Sequence, residues 1–247
     1  MNCIGKVALV TGAAGGGIGR SIALTLANEG ARVVVNYRSN EASANEIVKS
    51  IEECGGQAIA IAADVFVKDD CVRLVEETIE QFGQVDICIV GPGGGWHPEG
   101  IDVLDPENAL QNIHDETAPI LYLMSKILPG MYTRCWGRLI AIASHPEKVS
   151  PAYAYNLGKA ARVQTLLLAQ DQAWSHGVTV NVIAPGPLNG LPDLATAIEQ
   201  SQHGQSWLER GDVSPQDIAD GVAFLCSESG RFINGCVLPY LWNWPST

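Results

Sequence analysis

Short apolar runs rich in β-branched residues recur along the chain, and longer stretches with helical periodicity separate them. Apolar runs of this length, bounded by turn residues, predict buried strands. The runs lie at residues 6–10, 32–36, 57–62, 85–90, 138–143, 178–183 and 236–240. The amphipathic stretches predict helices at residues 18–29, 41–54, 69–82, 106–132, 152–175 and 215–227.

Regular alternation of strands and helices predicts the fold class. It is typical of an α/β protein whose parallel sheet is covered by helices on both faces. Because no linker or change of composition divides the chain, we expect one doubly wound domain over residues 1–247. Residues 187–211 interrupt the pattern, since they are rich in Pro, Gly, Asn and Gln and hold only a weak helix at 194–202. They follow a strand end, where ligands bind in such sheets, so we predict a substrate lid there.

Composition and charge narrow the class of protein. The chain is 47% hydrophobic and carries a net charge of −12, without a block of like charge. This excess of acid argues against a nucleic-acid or acidic-membrane partner. No apolar run approaches the ~20 residues that cross a bilayer, and the first residues lack a signal-peptide pattern. The seven cysteines are dispersed, which indicates reduced thiols and neither disulfides nor a metal site. We expect a cytoplasmic protein.

A glycine-rich turn joins the first predicted strand to the first helix. It reads Thr11-Gly12-Ala13-Ala14-Gly15-Gly16-Gly17-Ile18-Gly19-Arg20. Glycines in this position allow a tight turn and let backbone N–H groups approach a pyrophosphate at the helix N-terminus. The strand–turn–helix context favours dinucleotide binding over a merely flexible loop. The residues predicted to bind are Gly12, Gly15, Gly17, Ile18 and Gly19.

The ends of the second and third strands suggest which dinucleotide binds. An acid after the second strand suits the ribose hydroxyl of NAD, whereas an arginine suits the 2′-phosphate of NADP. Arg38 stands there and no acid does, which favours NADP(H) over NAD(H). The alternative is that Arg38 is an ordinary surface arginine. Asp64 and Val65 could contact the adenine, with a helix N-cap as the alternative role for Asp64.

Ser144, Tyr155 and Lys159 form a candidate proton-transfer site. Residues four apart share a helix face, so the Lys159 ammonium can lie near the Tyr155 phenol. A nearby cation favours the phenolate and lowers the pKa of a tyrosine towards the range of a general acid or base. The Ser144 hydroxyl, at the end of a strand, could hold a substrate oxygen.

These motifs, in this order and spacing, resemble the short-chain dehydrogenase/reductase family, and most closely its 3-oxoacyl-carrier-protein reductase branch. The resemblance covers nearly the whole chain. It implies a Rossmann-type sheet of about seven strands, a homotetramer or dimer, and hydride transfer between nicotinamide and a carbonyl or alcohol. It also implies that Tyr155 is the acid/base, that Lys159 lowers its pKa and binds ribose, and that Ser144 orients the substrate. Gly91, Pro185 and Gly186 would line the cofactor pocket.

Three departures from the family pattern affect the support of this site. The glycine turn is one residue longer than usual. Val90-Gly91-Pro92-Gly93 replaces the family's Asn-Asn-Ala-Gly, which removes two asparagine side chains and one backbone donor. The family's relay asparagine on the central helix falls near Asp115 or Glu116, with Asn112 the nearest asparagine. A carboxylate there could hold a relay water but would also keep the lysine protonated.

The sequence therefore supports an NADP(H)-dependent ketoreductase acting on a 3-oxoacyl thioester or another small carbonyl compound. The alternative is a dinucleotide-binding regulatory or partner protein with little turnover. Side chains after strand ends that could face a substrate are Trp96, His97, His145 and Glu147. The aromatic end of the chain, Trp242-Asn243-Trp244, favours a core or interface role over ligand contact.

Overall fold

A seven-stranded parallel sheet forms the centre of the computed structural model, which describes residues 2–96, 98–144, 152–186, 188, 190–203 and 213–240. The strands are β1 (Val7–Val10), β2 (Arg32–Tyr37), β3 (Gln57–Ala62), β4 (Ile87–Val90), β5 (Gly137–Ile142), β6 (Val178–Pro185) and β7 (Val237–Tyr240). The helices are α1 (Ile18–Asn28), α2 (Glu41–Glu53), α3 (Lys68–Phe82), α4 (Pro106–Arg134), α5 (Tyr153–Leu167), α6 (Gln170–Trp174), α7 (Leu194–His203) and α8 (Pro215–Cys226).

The strand order is β3-β2-β1-β4-β5-β6-β7, and every pair is parallel. Strands β1 to β3 are added outward on one side of the sheet and β4 to β7 outward on the other. The direction of the strand order therefore reverses between β1 and β4. Ligands bind at such a switch point, beyond the carboxyl ends of the strands. The predicted Rossmann-type fold is therefore confirmed, and the switch point gives the position at which to look for a site.

Alternate residues of each strand feed two apolar layers, because side chains along a strand point to opposite faces. In β1, Ala8 and Val10 pack with α1, α2 and α8, whereas Leu9 packs with α3, α4 and α5. The inner strands β1, β4, β5 and β6 are buried on both faces, as their nearly continuous apolar sequences require. Within the described residues, no helix is long and apolar enough to cross a membrane.

The predicted helix over residues 152–175 is wrong in one respect, because it is two helices. α5 ends at Leu167 and α6 begins at Gln170. The Gln170 carbonyl accepts a hydrogen bond of 3.1 Å from the Asn234 side chain, and Asn234 also accepts one from the Val180 N–H. These contacts come from a distant segment, so local periodicity could not reveal the break.

Glycine at position 158 lets α4 and α5 cross closely. A Cβ there would lie 3.1 Å from both the Asn112 carbonyl oxygen and the Glu116 Cγ. These distances are tight for any larger residue, so the close crossing depends on glycine. The crossing brings the middle of α4 against the helix that carries Tyr155 and Lys159.

Candidate active site

The glycine turn between β1 and α1 is tightly folded at two of its glycines. Gly12 has a φ of +65°, and a Cβ on it would lie 2.7 Å from Pro92 Cγ. A Cβ on Gly19 would lie 2.8 Å from the Gly12 carbonyl oxygen. Gly15 and Gly17 have no contact this close, so the extra residue of the turn is accommodated without crowding. α1 then begins at Ile18, and its N-cap residue, Gly17, makes no side-chain capping bond.

Two neutral side chains fasten this turn to the sheet. The Asn36 amide donates to the Ile61 and Ala63 carbonyls, and its oxygen accepts from the Gly12 N–H at 3.1 Å. The Thr11 hydroxyl donates to the Ile89 carbonyl at 2.9 Å and accepts from the Gly91 N–H at 3.0 Å. The turn is thereby joined to β2, β3 and β4. The sequence analysis did not single out Asn36, although its polar side chain inside an apolar strand was a usable signal.

A cavity of about 240 Å³ lies at the switch point, between the glycine turn and the end of β4. Its lining is mostly backbone and aliphatic side chain, supplied by Thr11, Gly12, Ile18, Gly19, Ile22, Ile89, Gly91, Pro92 and Ile142. The lining contains Gly12, Ile18, Gly19 and Gly91 from the predicted cofactor site. A glycine cradle at a helix N-terminus, with apolar walls, fits the pyrophosphate and ring portion of a dinucleotide.

Arg38, Asp64 and Val65 lie at the ends of β2 and β3. Arg38 is exposed directly after β2. Val65 is buried, while Asp64 is half-buried and accepts a hydrogen bond from the Phe66 N–H at 3.1 Å. The alternative role of Asp64 as a helix N-cap is wrong, because α3 begins after Val67.

Ser144 and Tyr155 come together as the sequence predicted. Ser144 follows β5, and Tyr155 lies in the first turn of α5. The Ser144 hydroxyl and the Tyr155 phenol share a hydrogen bond. Lys159, one turn further along α5, places its ammonium 5.3 Å from the centre of the Tyr155 ring. The three side chains therefore converge beyond the end of β5.

The expected lowering of the Tyr155 pKa is wrong for the chain by itself. Burial raises the pKa of this phenol, and the negative charge of Glu116 adds to that effect. The hydrogen bond with Ser144 and the charge of Arg162 act in the opposite direction without reversing it. Burial also lowers the pKa of Lys159, although Glu116 opposes that shift. The phenol is therefore held in its protonated form.

Glu116, and not Asp115, occupies the position beside the lysine. Its carboxylate is 1% exposed, and its Oε1 lies 2.7 Å from Lys159 Nζ. Asp115 points elsewhere and contacts the side chains of Gln111 and His114. The Asn112 amide donates to Asn108 one turn earlier. The contact with Lys159 is direct, so the carboxylate does not need the bridging water that the sequence analysis considered.

Arg162 is a buried part of the site that the sequence analysis missed. Its guanidinium is fully buried and donates to the Val90 carbonyl at 2.6 Å and to the Pro92 carbonyl at 2.9 Å. Its Nη1 also lies 3.3 Å from Glu116 Oε2. The available signal was a charged residue on the face of α5 opposite to solvent, one turn beyond Gly158.

The structure describes some of the remaining candidate residues and not others. The Trp96 ring packs edge-on against the Tyr155 ring, with centroids 5.0 Å apart, and it is 53% exposed. Pro185 is buried at the end of β6, and the Gly186 N–H donates to the Tyr240 carbonyl. His97, His145, Glu147 and the segment Trp242-Asn243-Trp244 lie outside the described residues.

Comparison with known proteins gives a consistent result. The family model for short chain dehydrogenases matches residues 6–202. A hydroxynaphthalene reductase-like protein of Metarhizium guizhouense is 34% identical, with 95% of this chain and 92% of that protein covered. The hydroxynaphthalene reductase of Aspergillus fumigatus is 33% identical, with 94% of this chain and 89% of that protein covered.

Solved structures agree with the sequence comparisons. A hydroxysteroid dehydrogenase from Escherichia coli aligns with a TM-score of 0.80 at 30% identity, over 96% of both chains. A metagenomic short-chain oxidoreductase in complex with NADP aligns with a TM-score of 0.78 at 26% identity, over 96% of this chain and 99% of that one. Because the family model and these relatives match along most of its length, the chain belongs to the short-chain dehydrogenase/reductase family.

Proposed function

We propose that the protein is an NADP(H)-dependent ketoreductase in which Tyr155 is the acid/base. The observation that carries this proposal is the hydrogen bond between Ser144 and Tyr155, beside Lys159 and beyond the switch point of the sheet. A phenol and a hydroxyl aimed at one point can hold a carbonyl oxygen and deliver a proton to it.

The cofactor proposal rests on the cavity and its glycine cradle. Gly12, Gly15, Gly17, Ile18 and Gly19 would hold the pyrophosphate end, and Gly91, Pro185 and Gly186 would border the nicotinamide. Asp64 and Val65 would lie at the adenine. Arg38 favours the 2′-phosphate of NADP because it is an exposed cation directly after β2. When bound, the reduced nicotinamide supplies a hydride.

The chain itself supplies the proton and the orientation. Tyr155 would donate the proton of its phenol to a carbonyl oxygen. Ser144 holds that oxygen, and Lys159 contributes a positive charge one helix turn away. Reduction is the proposed direction, because relatives of this chain are named as reductases.

A cyclic or aromatic ketone is the substrate class favoured here over an open-chain thioester. One relative is named a hydroxynaphthalene reductase, another a hydroxynaphthalene reductase-like protein, and a structural neighbour is a hydroxysteroid dehydrogenase. The half-exposed Trp96 indole beside Tyr155 offers a flat wall to such a ring.

The proposal also includes a cytoplasmic homo-oligomer and a substrate-covering role for residues 187–211. Leu191 supports that role because it approaches the Cβ position of Gly17 at 3.4 Å.

Purified protein with NADPH and a panel of cyclic ketones, diketones and β-ketoacyl thioesters tests the proposal. The expected result is loss of nicotinamide absorbance with at least one ketone, and faster turnover of cyclic than of open-chain compounds. Binding should be followed separately by NADPH fluorescence. Turnover with thioesters alone would contradict the proposed substrate class.

A second candidate function is dinucleotide binding with little turnover. The observation that favours it is the direct ion pair of Lys159 with Glu116, which opposes the effect of the lysine on the phenol. NADPH binding without absorbance loss across the whole panel would support this function and contradict the first.

A further inference from the structure

A chain of three buried charges joins α4 to α5 behind the Tyr155 phenol. Glu116 lies between two cations, with Lys159 Nζ 2.7 Å from one carboxylate oxygen and Arg162 Nη1 3.3 Å from the other. All three residues are at least nine-tenths buried. Buried charges are stable only when they are paired and hydrogen-bonded, so each of these groups depends on its neighbours.

Arg162 also connects this chain of charges to the cofactor cavity. Its guanidinium donates to the carbonyl of Val90, the last residue of β4, and to those of Gly91 and Pro92 in the segment directly after β4, residues 91–93. Gly91 and Pro92 line the cavity, and Pro92 packs against Gly12 of the glycine turn. This segment contains two glycines and a proline, so it has few polar side chains with which to hold itself in place.

The Glu116 side chain fits between two glycines, Gly93 after β4 and Gly158 on α5. A Cβ on Gly93 would overlap the Glu116 carboxylate, and a Cβ on Gly158 would crowd the Glu116 Cγ at 3.1 Å. The segment after β4 and the helix crossing are therefore both shaped around the Glu116 side chain.

We propose that Glu116 and Arg162 act as one positioning unit that fixes the Lys159 ammonium to the segment after β4. This inference rests on the proposed function, in which Lys159 and that segment serve the same reaction. Glu116 without Arg162 would cancel the lysine charge beside the phenol, whereas Arg162 without Glu116 would leave two buried cations facing each other. Together with Lys159 they leave one net positive charge, the same as a lysine with a neutral partner.

The charged groups that face Tyr155 in the described part of the chain come from two helices. They are Glu116 from α4, and Lys159 and Arg162 from α5. Two uncharged side chains also contact the phenol, Ser144 after β5 and Trp96 in the loop between β4 and α4. The Glu116 charge disfavours the phenolate and the Arg162 charge favours it, so their removal should move Tyr155 ionisation in opposite directions.

The test uses Glu116→Gln, Arg162→Met and the double variant, with Asp115→Asn as the matched control. Asp115 is the neighbouring carboxylate on α4, and its contacts lie on the exposed face. Ionisation of Tyr155 is measured on the protein without cofactor, as tyrosinate absorbance minus that of the same variant carrying Tyr155→Phe. Glu116→Gln should move the midpoint to lower pH and Arg162→Met to higher pH, while Asp115→Asn should leave it in place.

Melting temperatures and NADPH fluorescence give two further readouts. Arg162→Met should lower the melting temperature by about 6–20 °C, because it removes one member of a buried ionic network. It should also weaken NADPH binding by roughly tenfold, because three cavity-side carbonyls lose a donor. The double variant should lose less than the sum of the single losses.

If Arg162→Met does not fold, Arg162→Lys tests whether Arg162 holds the segment after β4 in place. It keeps the charge but loses the forked geometry, so it should leave the Tyr155 midpoint in place and still weaken NADPH binding. Midpoints that move in the same direction for Glu116→Gln and Arg162→Met, or strictly additive melting losses, would overturn the proposed unit. These readouts do not need turnover. A protein that shows the opposed shifts but reduces no ketone would refute the proposed function and keep the positioning unit.

Discussion

The two sides of the active site are held together by different kinds of interaction. On the glycine-turn side, Thr11 and Asn36 use neutral hydrogen bonds to backbone groups. On the helix side, Glu116 and Arg162 use buried charges around Lys159. Neutral hydrogen bonds are insensitive to pH, whereas charged groups change their strength as protons are gained or lost. The contacts of Thr11 and Asn36 therefore do not depend on ionisation, whereas the groups around the proposed acid/base Tyr155 do.

Tyr155→Phe gives the largest expected effect, because it removes the transferable proton from the charged side. Turnover should fall by about 10²–10⁴-fold, the usual contribution of a positioned general acid. NADPH affinity should stay within a factor of about two, since the phenyl ring keeps its contact with Trp96. The measurement is steady-state turnover together with NADPH fluorescence titration. Full activity in this variant would refute the role of Tyr155.

Gly12→Ala tests the neutral side by distorting its turn. A left-handed φ costs a larger residue about 1–2 kcal/mol, and the overlap with Pro92 adds about 1–3 kcal/mol. Both stability and NADPH affinity should decrease, as measured by urea unfolding and fluorescence. Gly5→Ala is the matched control, because Gly5 has a φ of +76° and no neighbour near its Cβ position. The control should lose stability alone, and an equal loss of NADPH affinity in both variants would contradict the Pro92 contact.

Asn36→Asp introduces a charge into the neutral side while preserving its shape. The carboxylate cannot donate to the Ile61 and Ala63 carbonyls, so the free energy of unfolding should fall by about 2–4 kcal/mol at neutral pH. Burial favours the protonated form and raises the pKa of this new acid. Stability should therefore recover as the pH falls through that raised pKa.

The control for this change is Asn40→Asp. Asn40 is an exposed helix N-cap that accepts from the Ser43 N–H, a role that aspartate fills equally well. Urea unfolding at neutral and acidic pH checks the difference. If the two variants depend on pH alike, Asn36 does not hold the turn by donating its amide hydrogens.

Arg38→Asp gives the smallest expected effect, because Arg38 is exposed and screened by solvent. The preference for NADPH over NADH should shift by roughly five- to thirtyfold, equivalent to about 1–2 kcal/mol. Arg231→Asp is the matched control, because it makes the same change of net charge at the opposite end of the sheet. Arg231 lies close to Trp136 and Gly177, which precede β5 and β6. The ratio of kcat/KM for the two cofactors is the measurement. An unchanged ratio in Arg38→Asp would refute a contact with the 2′-phosphate.

Most of the fold could be predicted from sequence because its inner strands are buried on both faces. Such strands read as apolar runs, as β1, β4 and β5 do. The edge strand β3 at residues 57–62 was also predicted with both bounds correct, although it is only partly buried. The glycine turn and the trio of Ser144, Tyr155 and Lys159 could also be predicted, since each is defined by local spacing. Errors arose where a distant segment decides the local structure, as Asn234 does at the break between α5 and α6.

The charged residues that surround Lys159 could not be predicted from the sequence for a related reason. Whether Asp115 or Glu116 faces Lys159 depends on the rotation of α4 against α5, which the close approach at Gly158 sets. Arg162 was missed because its partners, the carbonyls after β4, are about seventy positions earlier in the chain. Local patterns define the chemical groups of this site, whereas long-range packing defines their electrostatic surroundings.

The hydroxyl of Thr11 has a consequence for how the chain folds. It joins β1 to β4 across 78 to 80 residues, and the cavity exists only where those strands meet. The chain between β1 and β4 contains α1, β2, α2, β3 and α3, so there is a place for a dinucleotide only when this long-range pairing has formed. A ligand that binds only the closed form then adds its own free energy to folding. The cofactor is in this sense a late structural component of the domain as well as a reactant.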